Sequence, residues 1–244
     1  MKCFQKWLFC FFVIGFLFLI GCSSQEGRVS TSRNQFHGID RIEWDSEFSL
    51  GRKINELSLV PGIDDTAVLV NGYSITKREI ITEHMRNVHV GFDHLPLTLE
   101  AVVTSMIREQ VSLQEASRLE LQPSQAGINM AVSSLRRSFE AGWPSMEGFI
   151  AGMGITEDEY SAMHEKLIYN GYLINALADF VADTQMDEIL AEAYRRDETI
   201  HPVFRSVVSE FFNKYVDELV EQASIEILDP EIMALFPEGY FGHP

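Results

Sequence analysis

The stretch from Ala67 to Glu79, AVLVNGYSITKRE, leaves the backbone little choice. Ala67-Val68-Leu69-Val70 is a β-prone run, Asn71-Gly72 is the preferred pair for a two-residue type I′ turn, and Tyr73-Ser74-Ile75 returns antiparallel. Both turn positions need φ > 0, which Asn tolerates and Gly accepts freely. Thr76 then stands where a helix N-cap belongs. Glu79, three residues on, completes a Thr-x-x-Glu capping box that satisfies two otherwise orphaned backbone N–H groups. A tight hairpin running directly into a helix is the expectation.

The segments that follow carry apolar residues at helical spacing. Between Thr98 and Leu121, Val102, Met106, Leu113 and Ala116 form a stripe that Val103, Ile107 and Val111 widen. Pro123 and Ser124 open a second helix, with Ile128, Val132, Leu135 and Phe139 on one face. Ser145 is placed to cap a short third helix carrying Phe149, Ile150 and Met153 and stopped by Gly154. Thr156 and Glu159 make another capping box, and Tyr160, Met163, Leu167, Ile174, Ala178 and Val181 carry the next helix to about Asp183. Met186, Ile189, Leu190, Ala193 and Tyr194 mark one more, and His201-Pro202 starts the last, with Val207, Phe211, Tyr215 and Leu219. The alternating Ile225 and Ile227 near the end suit a half-buried strand. Ile39 to Asp65 fits no single period and leaves room for one short helix or strand. A mostly helical fold with a small antiparallel β element follows, the hairpin near 67–75 joined by a strand near 224–228.

The N-terminus reads differently. Lys2 and Lys6 precede an uncharged apolar run from Trp7 to Leu19, shorter than the roughly 20 residues a spanning helix needs, as in a cleaved signal peptide. Leu19-Ile20-Gly21-Cys22 resembles the lipobox of bacterial lipoproteins, which implies cleavage after Gly21 and acylation of the Cys22 thiol. Two or more acyl chains hold a protein on a membrane. The same cut removes Cys3 and Cys10, so no intramolecular disulfide is expected. Residues 22–38, polar and Ser-rich, then read as a flexible tether, and 39–244 as a single folded domain.

The chain has 244 residues, 46% of them apolar, enough for one sizeable core or two small ones. Its 19 Lys and Arg, less Lys2 and Lys6, stand against 36 Asp and Glu, a charge of −19 after cleavage. Nucleic acid and anionic lipid surfaces are poor partners for such a molecule. His84, His89 and His94 recur every five residues rather than at the i, i+4 spacing that puts ligands on one helical face, so no metal site is expected. No Gly-rich phosphate loop, Ser-His-Asp order or Cys-His pair appears, and no cofactor or small-molecule substrate is expected.

In order, VNGYSITKREI, MIREQVSLQEASRLEL, SQAGINMAVSSLRRSF and SMEGFIAGMGITEDEYSAMHEKLIYNGYL resemble the N-terminal chaperone domain of the SurA and PrsA foldases, over roughly residues 67–182. ASIEILDPE, within a closing segment 203–236, resembles the strand with which those foldases complete their chaperone core. The resemblance implies that this strand pairs with the hairpin, and that the ligands are unfolded envelope proteins. Related foldases insert a parvulin prolyl isomerase domain before the closing strand. Here only nine residues separate Tyr194 from Phe204, and the parvulin elements are missing, so isomerase activity is expected to be absent.

A chaperone without an active site needs a concave apolar surface that shields clients without selecting one sequence. Adaptable Met and rigid aromatic side chains suit it. The candidates for client contact are Trp143, Met146, Phe149, Met153 and Met163 around the short helix, with Phe92, Leu95 and Leu97 in the loop before the long one. A structural lipoprotein that docks one specific partner is the alternative. The envelope location is periplasm-facing, with Ser23 and Ser24 after Cys22 favouring the outer membrane.

Overall fold

The computed structural model describes residues 39–91, 95–196 and 200–237. Among them the fold is mostly helical with one three-stranded antiparallel sheet. In chain order the elements are α1 (Ile39–Glu56), a 3-10 turn (Leu57–Leu59), β1 (Thr66–Val70), β2 (Tyr73–Thr76), α2 (Lys77–Val90), α3 (Leu99–Arg118) and α4 (Gln125–Glu140). They continue with α5 (Pro144–Met153), α6 (Glu157–Thr184), α7 (Met186–Arg196), α8 (Ile200–Gln222), β3 (Ile225–Ile227) and a short α9 (Pro230–Met233).

The hairpin forms as its residues dictate. Val70 pairs with Tyr73 across the two-residue turn, and Asn71 and Gly72 both take positive φ, 51° and 80°. The capping box follows: Thr76 Oγ1 accepts from the Glu79 N–H at 3.2 Å, and the Thr76 N–H donates to Glu79 Oε2 at 2.7 Å. The strand order is β2-β1-β3, so the tail of the chain lies along its early ribbon. Val70 faces Ile225 and Val68 faces Ile227. Simple alternation does not hold in β1, because a bulge between Thr66 and Val68 turns both Ala67 and Val68 inward. The Ala67 carbonyl then accepts from the N–H groups of Leu228 and Asp229, at 2.8 and 3.2 Å.

One face of the sheet builds the main core. Ala67, Val68, Val70, Ile75 and Ile225 pack with Val102, Val103, Ile107 and Val111 of α3, Val216 of α8 and Ile232 of α9. Two smaller clusters extend it, one joining α6, α7 and α8 through Ala182, Ile189, Ala193 and Val207, the other joining α3, α6 and α8 around Ala116, Leu173 and Leu177. Ion pairs reinforce the long-range closure. Lys77 Nζ reaches Asp229 at 3.0 Å and Glu231 at 2.6 Å, Arg108 pairs with Asp217, and Arg196 donates to both Glu210 oxygens at 2.7 Å.

Three local expectations are corrected. The region from Ile39 holds an 18-residue helix rather than a short element; its packing partner, α5, lies about a hundred residues downstream, and the local pattern carries no sign of it. Ser145 does not cap α5: Trp143 occupies the N-cap without a side-chain bond, and Pro144 takes the first turn, where its missing N–H is harmless. In α6 the buried face runs through His164, Tyr172, Leu173, Leu177 and Val181, leaving Met163 48% exposed. The other caps stand as read. Ser124 Oγ accepts from Gly127, Thr156 and Glu159 form their box, and Gly154 ends α5 in the left-handed region at φ 67°.

Candidate functional site

The short helix α5 and the start of α6 hold most of the residues singled out for client contact. Trp143, Met146, Phe149 and Met153 are all half-buried on or next to α5, and Met163 stands exposed on α6. Leu95 and Leu97 lie apart in chain order, in the connection between α2 and α3. That connection is tied to α2 where Asn87 Nδ2 donates to the Pro96 carbonyl at 3.3 Å. Leu95 is half-buried and Leu97 is exposed. Phe92, His94 and Cys22 fall outside the described residues.

Phe149 belongs to an aromatic group not visible in the stripes. Tyr160 makes T-shaped contacts with Phe139 from α4, at 5.7 Å, and with Phe149, at 5.9 Å, and stacks on His164 one turn along α6, with centroids 4.0 Å apart. Edge-to-face and stacked rings each add to their area burial. Burial pushes the Tyr160 hydroxyl up to about 12 and the His164 imidazole down to about 4, since both charged forms lose hydration there. His164 Nδ1 lies 3.1 Å from the Tyr160 carbonyl. This group is a packed junction of α4, α5 and α6, held neutral across the physiological range.

α1 lies along α5 at backbone contact. A Cβ on Gly51 would meet the Phe149 carbonyl oxygen, and Met153 N at 2.8 Å; one on Gly152 would meet the Phe48 carbonyl oxygen, and Arg52 N at 2.9 Å. Only glycine at both positions allows this crossing. The glycines escape a search for apolar periodicity, but the spacing Gly148-x-x-x-Gly152 is a signal for close helix approach. Leu50 and Ile54 of α1 and Ile150 of α5 are buried. His89 Nε2, 2.9 Å from Glu47 Oε1, ties α1 to α2 as well. The face of α5 around Ile150 and Gly152 is therefore covered by the chain's own first helix.

An open depression of about 410 Å³ lies between α4 and the start of α6. Its wall is charged, Arg136 against Glu140, Glu157, Asp158 and Glu165, with Phe139 as its main apolar surface. Among the described residues no helix is long and apolar enough to cross a membrane, and no three His, Cys, Asp or Glu side chains are grouped to hold a metal ion. Compared with known proteins, the chain matches no family model, no curated protein and no solved structure.

Proposed function

We propose that the protein is a lipid-anchored extracytoplasmic holdase, a chaperone-like protein that binds unfolded envelope or secreted proteins without isomerase activity. The observation that carries the reading is the return of β3 onto β1, which closes the hairpin, the helices and the chain's tail into one body with no domain inserted before the closing strand. That closure is what the resemblance to the SurA and PrsA chaperone domain calls for. In this reading Cys22 carries the lipid, the body faces the periplasm, preferably from the outer membrane, and the surface around α5 and α6 receives clients. The net negative charge keeps the holdase soluble and disfavours acidic clients.

A version beginning at Ser23, which keeps every described residue, should suppress the aggregation of several unrelated unfolded proteins at near-stoichiometric ratios. Failure with all of them sinks the holdase. Measurable turnover in a peptidyl-prolyl isomerisation assay contradicts the absence of isomerase activity, and a full-length chain expressed in bacteria that incorporates no labelled palmitate contradicts the anchor.

A second reading is a lipoprotein that docks one folded partner. The charged wall of the depression between α4 and α6 favours it, since surfaces of that kind select partners by charge complementarity. Capture of a single native protein, lost on reversing the charge of Glu157 and Asp158, distinguishes this outcome from general client binding.

A further inference from the structure

We infer that α1 is a detachable internal cover, an amphipathic helix seated on the α5 surface and displaced when a client helix takes its place. The inference deepens the holdase reading and rests on it for the identity of the competitor. That an apolar face on α5 is closed by α1 stands independently of that reading.

Where α1 packs is the first support. Its buried stripe, Leu50, Gly51 and Ile54, meets α5 at the Gly51 and Gly152 crossing, and Arg52, Lys53 and Glu56 are exposed. Among the residues whose side chains are described, none of α1 or α5 belongs to the three apolar clusters that unite the sheet with α3, α6, α7, α8 and α9. Removing α1 leaves those clusters intact, so the helix can open below the free energy of global unfolding.

A built-in hinge is the second. From Ser58 to Gly62 the chain is exposed, Leu59 at 80%, and its hydrogen bonds are local, Val60 N–H to the Leu57 carbonyl at 3.0 Å and Ser58 Oγ to the Asn55 carbonyl at 2.6 Å. Firm attachment resumes at Ile63, which is buried and accepts from the Arg78 N–H at 2.7 Å, and at Asp64, paired with Arg78. Motion of α1 about this hinge disturbs no strand.

What lies beneath is the third. The α5 residues whose backbone meets α1 at the crossing are Phe149, Gly152 and Met153, and Ile150 of the same helix is buried. α1 shows what fits: an amphipathic helix with a small residue at the crossing and branched apolar residues one position before it and three after. A seat already filled in this way lowers the apparent affinity for any competitor.

The test uses two full-length variants and a labelled synthetic peptide of residues 39–56. Gly51→Leu spoils the cover and leaves the seat intact; Gly152→Leu spoils the seat. In Gly51→Leu, the α1 amides should exchange about 100-fold faster while β1 and α3 keep their protection. The peptide should bind Gly51→Leu about tenfold or more tighter than wild type, and Gly152→Leu no better than wild type. Equal peptide binding by all three chains, or loss of protection in α1 and α3 together, overturns the inference. Should either variant fail to fold, exchange in the wild type decides: α1 amides exchanging about tenfold or more faster than those of α3 support a separate opening, and a common rate overturns it. A Gly51→Leu chain that binds peptide yet shields no unfolded client leaves the cover standing and removes the holdase; a wild type that shields clients while no chain binds peptide does the reverse.

Discussion

The N–H of Asn71 donates to the carbonyl of Ser224 at 2.7 Å, and the N–H of Ser224 donates back to Asn71 Oδ1 at 2.8 Å, across 153 positions of sequence. Asn71 Nδ2 also donates to Gln114 Oε1 at 2.7 Å, and Gln114 Nε2 to the Val70 carbonyl at 2.9 Å. One turn residue thus joins the hairpin, the closing strand and α3. Asn71→Gly keeps the positive φ but removes both side-chain bonds, and we predict a loss of about 1–2 kcal/mol. Asn71→Ala adds the strain of a left-handed alanine, roughly 1 kcal/mol more. Urea midpoints measure both; an Asn71→Gly variant of wild-type stability rules out the clasp.

Glu115 is a buried carboxylate, 6% exposed, gripped by Arg118 at 2.6 and 2.7 Å and accepting from the Tyr215 hydroxyl at 2.5 Å. Arg118 above all, with help from Tyr215, holds its carboxyl below the usual carboxylate range. The stability this contributes is present above the unfolded carboxyl value and lost as pH falls through the depressed folded one. Tyr215→Phe should cost about 2 kcal/mol at pH 7, as for a hydrogen bond to a charged group, and less once Glu115 is protonated. A penalty that does not shrink on acidification would place the effect in packing instead.

His164 works on a different pH window. Its folded value is depressed from 6.5 to about 4, chiefly by burial, so the unfolded chain takes up the proton first. Stability from this group is complete above pH 6.5 and falls between there and about pH 4, by as much as about 3 kcal/mol. His164→Phe keeps a ring against Tyr160 and removes the slope. The melting temperatures of the two proteins should converge on, or cross at, mildly acid pH; parallel curves from pH 7 to 4.5 would contradict a neutral buried imidazole.

Two glycines in helices should respond oppositely to alanine. Gly171 in α6 has no heavy atom within 4 Å of a Cβ position, so Gly171→Ala should stabilise by about 0.5–1 kcal/mol through helix propensity. Gly152→Ala gains the same propensity but drives a methyl into the α1 backbone at Phe48 and Arg52, and the clash should win by about 1–3 kcal/mol. Thermal unfolding of the pair is the check, and a stabilised Gly152→Ala would mean α1 is not seated as described.

Much of this architecture was legible because it is local. The Asn71-Gly72 turn, the Thr76 and Thr156 capping boxes, the Ser124 cap and the Gly154 stop each arise from residues within four positions of one another, and all of them form. The closing strand was readable too, from its Ile225 and Ile227 alternation. The candidate site was legible only in part: at α5 the Gly148-x-x-x-Gly152 spacing signals that some helix approaches closely, but nothing local says that the helix is α1, because its residues lie about a hundred positions away.

Sequence alone determined which segments become helix, hairpin and turn, since capping, φ preference and apolar period act over a few residues. Tertiary structure decided the rest: the bulge that turns Ala67 inward, the choice of His164 over Met163 for the buried face of α6, and the seat of α1 on α5. Each of those depends on the shape of a surface brought in from far along the chain, and close packing, unlike local propensity, is defined only once both surfaces are present.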